Sequence, residues 1–227
     1  MVVSQGFYRK IKDWIYSDHY RGIRFRPFQT NGNPYKAKCF IVGAYADTVL
    51  TVSGDESTLF AEALIDSGLF KYLYGDRCDS KEVRGIERFV GWYNAIDDSP
   101  VVVTNMNCLQ VNGLPALRLA KKEHPKDFAK GASIFNQVML EFLPQCLIIH
   151  GNEALKMFRK QYGHIIIDYH QDITKAKDLE DAGPFAILNL ATGHRIHVFA
   201  CRHMSNYTEN ALQTLKKNIE NTVKSER

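Results

Sequence analysis

The sequence of 227 residues is long enough to bury one sizeable hydrophobic core, and its 45% hydrophobic and 24% charged residues are ordinary for a soluble globular protein. No run approaches the roughly 18 consecutive apolar residues of a membrane span, and the N-terminal residues lack a signal-peptide pattern. The net charge of +4 permits a polyanionic partner without requiring one. We therefore expect one cytoplasmic domain over residues 1–227, without a membrane partner.

The cysteines form no CxxC pair, and three of them lie within or at the end of strand-like apolar runs, where a free thiol behaves as a small hydrophobic group. We expect reduced, buried thiols rather than disulfides or metal ligands. The five cysteines are Cys39, Cys78, Cys108, Cys146 and Cys201.

Helix-like and strand-like segments alternate along the chain. The first helix has Ile11, Trp14 and Ile15 at helical spacing, and three consecutive valines from Val101 are typical of a strand buried on both faces. In chain order, we predict a helix within 7–22, an extended segment over 23–38, a strand over 39–42, a helix within 55–75 that breaks near Gly68, a helix over 81–96 capped from Asp79 or Ser80, a strand over 101–111, a helix within 124–143, a strand over 146–149, a helix after Gly151, β-rich segments at 164–170 and 184–203 with a hairpin at Thr192 and Gly193, and a final helix over 208–227 with Asn206 and Thr208 as candidate caps.

This alternation predicts an α/β fold, namely a three-layer α/β/α sandwich with a central, mainly parallel four-stranded sheet. Ligands of open parallel sheets bind outside the carboxyl ends of the strands. The strand ends to inspect are therefore residues 43–48, 104–108, 150–152 and 201–207.

The first two strand ends carry groups suited to a flat ligand. Gly43 permits a tight turn close to a ligand, Tyr45 offers an aromatic face, and Asp47 offers a charge or a proton acceptor. Asn105 and Asn107 are two residues apart, so in a strand they face the same side, and a carboxamide suits the edge of a planar base. An ordinary turn with a solvated aspartate and a backbone-capping asparagine are the structural alternatives.

The last strand end contains His203, followed by Ser205, Asn206 and Tyr207. A histidine in this position donates a hydrogen bond to an oxygen that becomes negative in a transition state, and Ser205 orients the loop. A purely structural histidine is the alternative.

Other signals are weaker. Asp168, His170 and Asp172 alternate in "DYHQD", a carboxylate and imidazole pattern that binds metals, but no second cluster stands at a recognisable spacing. We therefore expect no metal and no cofactor. The sequence contains no GxxxxGK[ST], GxGxxG or GxSxG motif, which argues against a P-loop kinase, a dinucleotide-dependent oxidoreductase and an α/β-hydrolase.

Taken together, the strand ends resemble the motifs of the uracil-DNA glycosylase superfamily. In that family a first strand ends in a glycine-led motif of the G-x-[DN]-P type, a middle strand ends in a base-reading asparagine, and the last strand ends in H-P-S-P followed by a wedge residue. The counterparts here are "GAYAD", the asparagine of "VVVTN" and "HMSNY", with "LIIHG" as the strand between the second and third motifs. The order and spacing match over roughly residues 25–210.

The resemblance implies a monomeric DNA glycosylase that flips a uracil or a related altered base out of DNA and hydrolyses its N-glycosidic bond. His203 would donate to the base oxygen as the base leaves, and Asp47 would activate the water. The implied base-binding residues are Gly43, Ala44, Tyr45, Phe60 and Asn105, and the implied DNA contacts are Ser205, Asn206 and Tyr207, with Tyr207 as the wedge.

The sequence departs from the family at catalytic positions. Tyr45 stands where many members have a water-orienting Asp or Asn, Ala46 replaces the following proline, and Asp47 lies two residues late. Both prolines of the last motif are missing, and the four spaced cysteines of the iron–sulfur branch are absent. Two alternatives therefore stay open: a catalytically weak or inactive glycosylase-fold module that binds DNA, nucleotide or protein, and a small-molecule hydrolase or transferase that uses "DYHQD" with a metal.

Overall fold

The computed structural model describes residues 4–18 and 20–225. Residues 19, 226 and 227, which fall in predicted helical segments, lie outside the described residues. The helices are α1 (Gln5–Ile15), α2 (Ser57–Ala63), α3 (Ser67–Cys78), α4 (Lys81–Asn94), α5 (Gly113–Glu123), α6 (Pro125–Phe142), α7 (Asn152–Tyr162) and α8 (Gln213–Ser225). The strands are β1 (Tyr16–Ser17), β2 (Tyr20–Ile23), β3 (Gln29–Thr30), β4 (Cys39–Asp47), β5 (Val101–Val111), β6 (Cys146–His150), β7 (Ile166–Asp168), β8 (Ala186–Asn189) and β9 (Arg195–Cys201).

Seven strands form the central sheet in the order β3–β5–β4–β6–β9–β8–β7. The four strands expected from the sequence are the neighbours β5, β4, β6 and β9. β4 pairs in parallel with β6, and β6 pairs in parallel with β9, whereas β3, β8 and β7 add antiparallel pairs toward the edges. Helices flank this sheet, so the predicted three-layer α/β/α class is confirmed, with seven strands instead of four.

Contacts between elements divide the chain into two compact units. The first unit comprises Met1–Lys36, Tyr45–Asp79 and Val102–Phe142, and the second comprises Ala37–Ala44, Ser80–Val101 and Leu143–Arg227. The expectation of one domain over residues 1–227 stays a prediction.

The first unit is built around an aromatic cluster. Phe142 at the end of α6 packs edge-on against Phe28 with 5.2 Å between ring centroids, and Trp14 of α1 contacts both rings. The indole Nε1 of Trp14 donates to Gln137 at 2.8 Å, so this buried ring keeps its hydrogen bond. Ile11, Trp14 and Ile15 are buried, as their helical spacing predicts.

The second unit is built around β6, whose five residues are all buried. The parallel register places Cys146 opposite Cys39 of β4 and His150 opposite Cys201 of β9. β8 and β9 form the predicted antiparallel hairpin, with Gly193 at φ +84° in its turn. Because β6 and β9 run in the same direction, the residues that end them lie side by side.

Of the two strands that carry the first two motifs, β4 is longer than predicted and β5 has the predicted bounds. β4 continues through Gly43 to Asp47, because Ala46 keeps the backbone N–H that a proline would lack, and the positive backbone angle comes at Thr48 (φ +74°). β5 continues past Asn105 to Val111, because residues 108–111 are all buried in the strand. The strand ends expected at residues 43–48 and 104–108 are therefore corrected. The first strand ends at Asp47, and residues 104–108 lie inside the second strand.

Several helix boundaries follow local caps. Ser80 accepts the amide of Val83 and begins α4, as predicted, and Asp66 accepts the amide of Leu69 and begins α3 close to the expected break. The final helix begins at Gln213, so Thr208 does not cap it, and α5 was not predicted. Among the described residues, no helix combines the length and the apolar character needed to cross a bilayer.

Candidate functional site

His203 is held just beyond the end of β9 by its neighbours. The preceding Arg202 donates to Glu180 through its backbone amide and its guanidinium at 2.6–2.7 Å, which fixes the end of the strand. The Nδ1 of His203 accepts the backbone amide of Ser205 at 3.3 Å and lies 2.9 Å from the Ser205 hydroxyl. The side chain of His203 is 44% exposed, so its position is fixed while its other nitrogen stays accessible.

His150 lies beside His203 at the end of β6, with 5.2 Å between the two ring centroids. The residue after it, Gly151, has φ +86°, and a Cβ there would lie 3.0 Å from Cδ2 of His203. Only a glycine therefore combines this backbone angle with this close approach. Burial, together with the neighbouring His203, lowers the pKa of His150 to about 3, so the His150 ring is neutral at physiological pH.

Glu82, in the first turn of α4, faces both histidines. Its Oε1 lies 3.5 Å from Nε2 of His203 and 3.7 Å from Nε2 of His150. One ligand atom from each of the three side chains lies within 4.8 Å of the others. These separations are longer than hydrogen bonds between a ring N–H and a carboxylate, so the three groups surround a common point without bonding one another.

Close backbone packing joins α4 to the loop that follows His203. A Cβ on Gly85 of α4 would lie 1.9 Å from the carbonyl oxygen of Met204 and 3.2 Å from Cβ of Tyr207. The absence of a side chain at Gly85 therefore lets the helix approach the loop closely enough to bring Glu82 to His203.

A basic pocket of about 240 Å³ opens next to this cluster. Its lining residues come from the first half of α4 and from the loop after His203, and they are Lys81, Arg84, Gly85, Arg88, Ser205 and Tyr207. The three basic side chains lie at the solvent-facing side of the helix. The pocket is below the roughly 300–1,000 Å³ of most small-molecule sites, and with its basic lining it suits a single phosphate or sugar-phosphate group.

Asp47 ends β4 in the first unit, where its Oδ1 accepts the backbone amide of Gly113 at 3.2 Å. Its backbone carbonyl accepts a hydrogen bond from Arg26. Tyr45 lies partly exposed within β4, and Asn105 lies partly exposed within β5. The side chain of Asn107 is occupied by backbone groups, since it donates to Phe128 and accepts from Leu109 at 3.0 Å each.

Phe60 and Tyr207, predicted to stack on the base and to act as the wedge, are both buried. Phe60 is completely buried and packs edge-on against Tyr74, so it presents no face for a base. Tyr207 is buried between Phe89 and the ammonium group of Lys216, so its ring does not project as a wedge. Each ring contributes to the hydrophobic core, and the roles in base stacking and as a wedge stay predictions.

The other predicted residues divide between the two units. Gly43, Ala44, His203, Ser205, Asn206 and Tyr207 belong to the second unit, and Tyr45, Asp47, Phe60 and Asn105 belong to the first. Within the second unit, His203 and Ser205 are in contact, and Asn206 is exposed on the same turn. Gly43 and Ala44 lie in β4 rather than in a turn.

The "DYHQD" segment has a structural role. Asp168 forms an ion pair with Arg159 at 2.8 Å and accepts the backbone amide of His170 at 2.9 Å. Arg159 also donates to the carbonyl of His170, so Arg159 pairs with the charge of Asp168 and holds the backbone of this segment. In the described part of the chain, the metal-compatible cluster is instead Glu82, His150 and His203.

From the sequence, no role was predicted for Glu82 or for the basic face of α4, and His150 was placed at a strand end without an assigned role. One signal was available, because Lys81, Arg84 and Arg88 are spaced by three and four residues, which places them on one side of a helix. The proximity of Glu82 and His150 to His203 has no such signal, since it depends on the pairing of β6 with β9 and on the packing of α4. A scan against protein-family models found no match to this sequence, and a search of curated proteins found none either.

Proposed function

We propose that the chain is a monomeric, cytoplasmic DNA glycosylase that binds an altered base extruded from DNA and hydrolyses its N-glycosidic bond. One observation carries the proposal: a half-exposed, oriented histidine stands at the end of β9 beside a pocket lined by three basic side chains. A glycosylase needs both elements, since the basic groups hold the phosphates and the histidine stabilises the departing base.

The hydrogen bonds of His203 support its role as a donor. Because the amide of Ser205 donates to Nδ1, that nitrogen carries a lone pair and the neutral ring keeps its proton on Nε2. Nε2 is thus able to donate to a base oxygen as negative charge develops there. Removing one such donor from an active site lowers the rate about 100- to 1,000-fold.

The basic pocket supports the binding of a phosphate at a fixed position relative to His203. Lys81, Arg84 and Arg88 share one face of α4, and the hydroxyl of Ser205, at the rim of the pocket, is 2.9 Å from His203. A phosphate in this pocket therefore places the adjacent nucleotide next to the histidine.

Asp47 is the carboxylate that we propose for activating water. Its Oδ1 is oriented by the amide of Gly113, and Oδ2 is the atom proposed to hold the water.

Base release from a uracil-containing oligonucleotide tests the proposal. We expect His203→Ala to lower the release rate by about 100-fold or more, and Asp47→Asn to lower it as well. His164→Ala is the matched control, because this histidine is exposed and lies outside the cluster. Undiminished release in both His203→Ala and Asp47→Asn would refute the mechanism.

A second candidate, a non-catalytic DNA-binding module on the same fold, is favoured by the burial of Phe60 and Tyr207. Without an exposed stacking ring or wedge at these positions, binding would depend on the basic face of α4 alone. Salt-sensitive DNA affinity with no base release over a long incubation would favour the module, and turnover by the wild-type protein would exclude it.

A further inference from the structure

We infer that Glu82, His150 and His203 form a binding site for a divalent metal ion of the zinc type. The inference is independent of the glycosylase proposal, because it uses only the donor atoms and their spacing. Two imidazoles and one carboxylate form a common protein donor set for zinc sites that keep an open position.

The separations between the donors match metal ligation better than direct hydrogen bonding. Tetrahedral zinc with bonds of about 2.0–2.2 Å places neighbouring ligand atoms about 3.4 Å apart. Oε1 of Glu82 is 3.5 Å from Nε2 of His203 and 3.7 Å from Nε2 of His150. Charged hydrogen bonds between the same groups would be about 2.7–2.9 Å long.

The donors are held by separate, well-packed elements. His150 ends β6, Glu82 lies in the first turn of α4, and His203 follows β9. The ring of His150 is 1% exposed, and its Nδ1 has no hydrogen-bond partner within residues 4–18 and 20–225. Nε2 of this buried ring lies 3.7 Å from Oε1 of Glu82, beyond hydrogen-bond distance, and this separation accommodates an ion between the two atoms.

One side of the cluster is open to solvent. The side chains of Glu82 and His203 are 21% and 44% exposed, whereas His150 closes the inner side. A three-coordinate protein site with an open side retains a water molecule or takes a substrate atom as the fourth ligand.

Ser205 serves as the outer partner of the site. When Nε2 binds the ion, Nδ1 carries the ring proton and donates a hydrogen bond to the Ser205 hydroxyl, 2.9 Å away, instead of accepting the Ser205 amide. Nε2 therefore either donates a hydrogen bond or binds the ion.

Zinc affinity is measured on the full-length protein by equilibrium dialysis after treatment with a chelator, and Co²⁺ is the spectroscopic probe. We expect one ion per chain and visible Co²⁺ absorption of a four-coordinate site. Glu82→Gln and His203→Gln should each weaken Zn²⁺ binding by at least about tenfold. Glu87→Gln on the same helix and His164→Gln are the matched controls, and both should keep the wild-type affinity.

A second measurement distinguishes a variant that lacks a metal-binding side chain from a variant that is unfolded. Zn²⁺ should raise the midpoint of thermal unfolding of the wild type, Glu87→Gln and His164→Gln proteins, with a clearly smaller rise for Glu82→Gln and His203→Gln. An absence of binding by the wild type, wild-type affinity in both ligand variants, or a thiolate-to-Co²⁺ charge-transfer band would overturn the inference. Base release has no bearing on these readouts, so the failure of one proposal is distinguishable from the failure of the other.

Discussion

The end of β4 and the end of β9 were both predicted to carry catalytic groups, yet their polar side chains are used differently. At the end of β4, Asp47 accepts the amide of Gly113, and the next loop is held by Asn112, whose side chain accepts the amide of Val49. At the end of β9, His203 faces Glu82 at 3.5 Å without a hydrogen bond between them. Oδ1 of Asp47 thus helps to hold a loop, whereas His203, whose side chain is 44% exposed, lies beside a carboxylate and a second imidazole.

Glycine allows close packing in both units, with a different consequence in each. In the first unit, a Cβ on Gly131 would lie 2.1 Å from Oδ1 of Asn107, so the glycine lets α6 pack on β5. In the second unit, Gly85 lets α4 pack on the loop that holds His203. The first close contact supports the core, and the second also sets the geometry of the candidate site.

Gly85→Ala should have the largest effect on the molecule. The added Cβ would overlap a backbone oxygen, so we expect a loss of about 3 kcal/mol in the free energy of unfolding and a loss of Zn²⁺ binding. Gly131→Ala is the matched change in the first unit, and it should destabilise the protein while the folded fraction keeps its zinc affinity. Denaturant unfolding and dialysis measure both quantities, and equal zinc affinity in the two variants would contradict the assignment of the site to the second unit.

Alkaline pH should destabilise the protein through its buried thiols. Burial raises the pKa of Cys108 in β5 to about 12, and burial also raises the pKa of Cys201 in β9. Because the unfolded chain loses these protons first, the stability is complete below about pH 8.5, the usual pKa of an exposed thiol, and falls as the pH rises toward the folded pKa. For Cys108 the loss is about 2 kcal/mol at pH 10, given an unfolded pKa of about 8.5.

The test is urea unfolding of the wild type and Cys108→Ala at pH 7.5 and pH 10. The variant should lose less stability between the two pH values than the wild type. An equal loss of unfolding free energy between pH 7.5 and pH 10 in the two proteins would show that the Cys108 thiol does not contribute to the pH dependence. Cys201→Ala gives the same comparison for β9.

The double variant Arg84→Ser/Arg88→Ser should weaken DNA binding about tenfold at moderate salt, because two phosphate contacts are lost. The slope of the logarithm of the binding constant against the logarithm of the salt concentration should fall by about 0.9 for each lost contact. Lys121→Ser/Lys122→Ser, a pair of exposed basic residues in α5 of the first unit, is the control of equal charge. Fluorescence anisotropy with a labelled duplex at several salt concentrations measures both slopes. Equal slopes for the two double variants would indicate binding that depends on net charge alone.

Asp47→Ala should have the smallest effect on the molecule as a whole. It removes the acceptor of the Gly113 amide at the start of α5, and we expect a cost of about 1 kcal/mol in the free energy of unfolding. Zinc affinity should not change, in contrast to Glu82→Gln. Reduced zinc binding by Asp47→Ala would mean that the two strand ends are not independent.

Local patterns in the sequence predicted much of the fold. The valine run of β5, the spacing of Ile11, Trp14 and Ile15, and the cap at Ser80 each depend on neighbouring residues only. The strand ends were less predictable, because a glycine such as Gly43 permits a turn without requiring one. The burial of Phe60 and Tyr207 was not predictable either, because a surface aromatic ring and a core aromatic ring look alike in a sequence.

Hydrophobic periodicity is a local property, so it was enough to predict the alternation of buried strands and amphipathic helices and to place His203 at a strand end. The groups that surround that histidine depend on long-range contacts. His150 and Glu82 reach it through the parallel register of β6 with β9 and through the contact of Gly85 with Met204. Such contacts join residues far apart in the chain, and no local pattern encodes their distances.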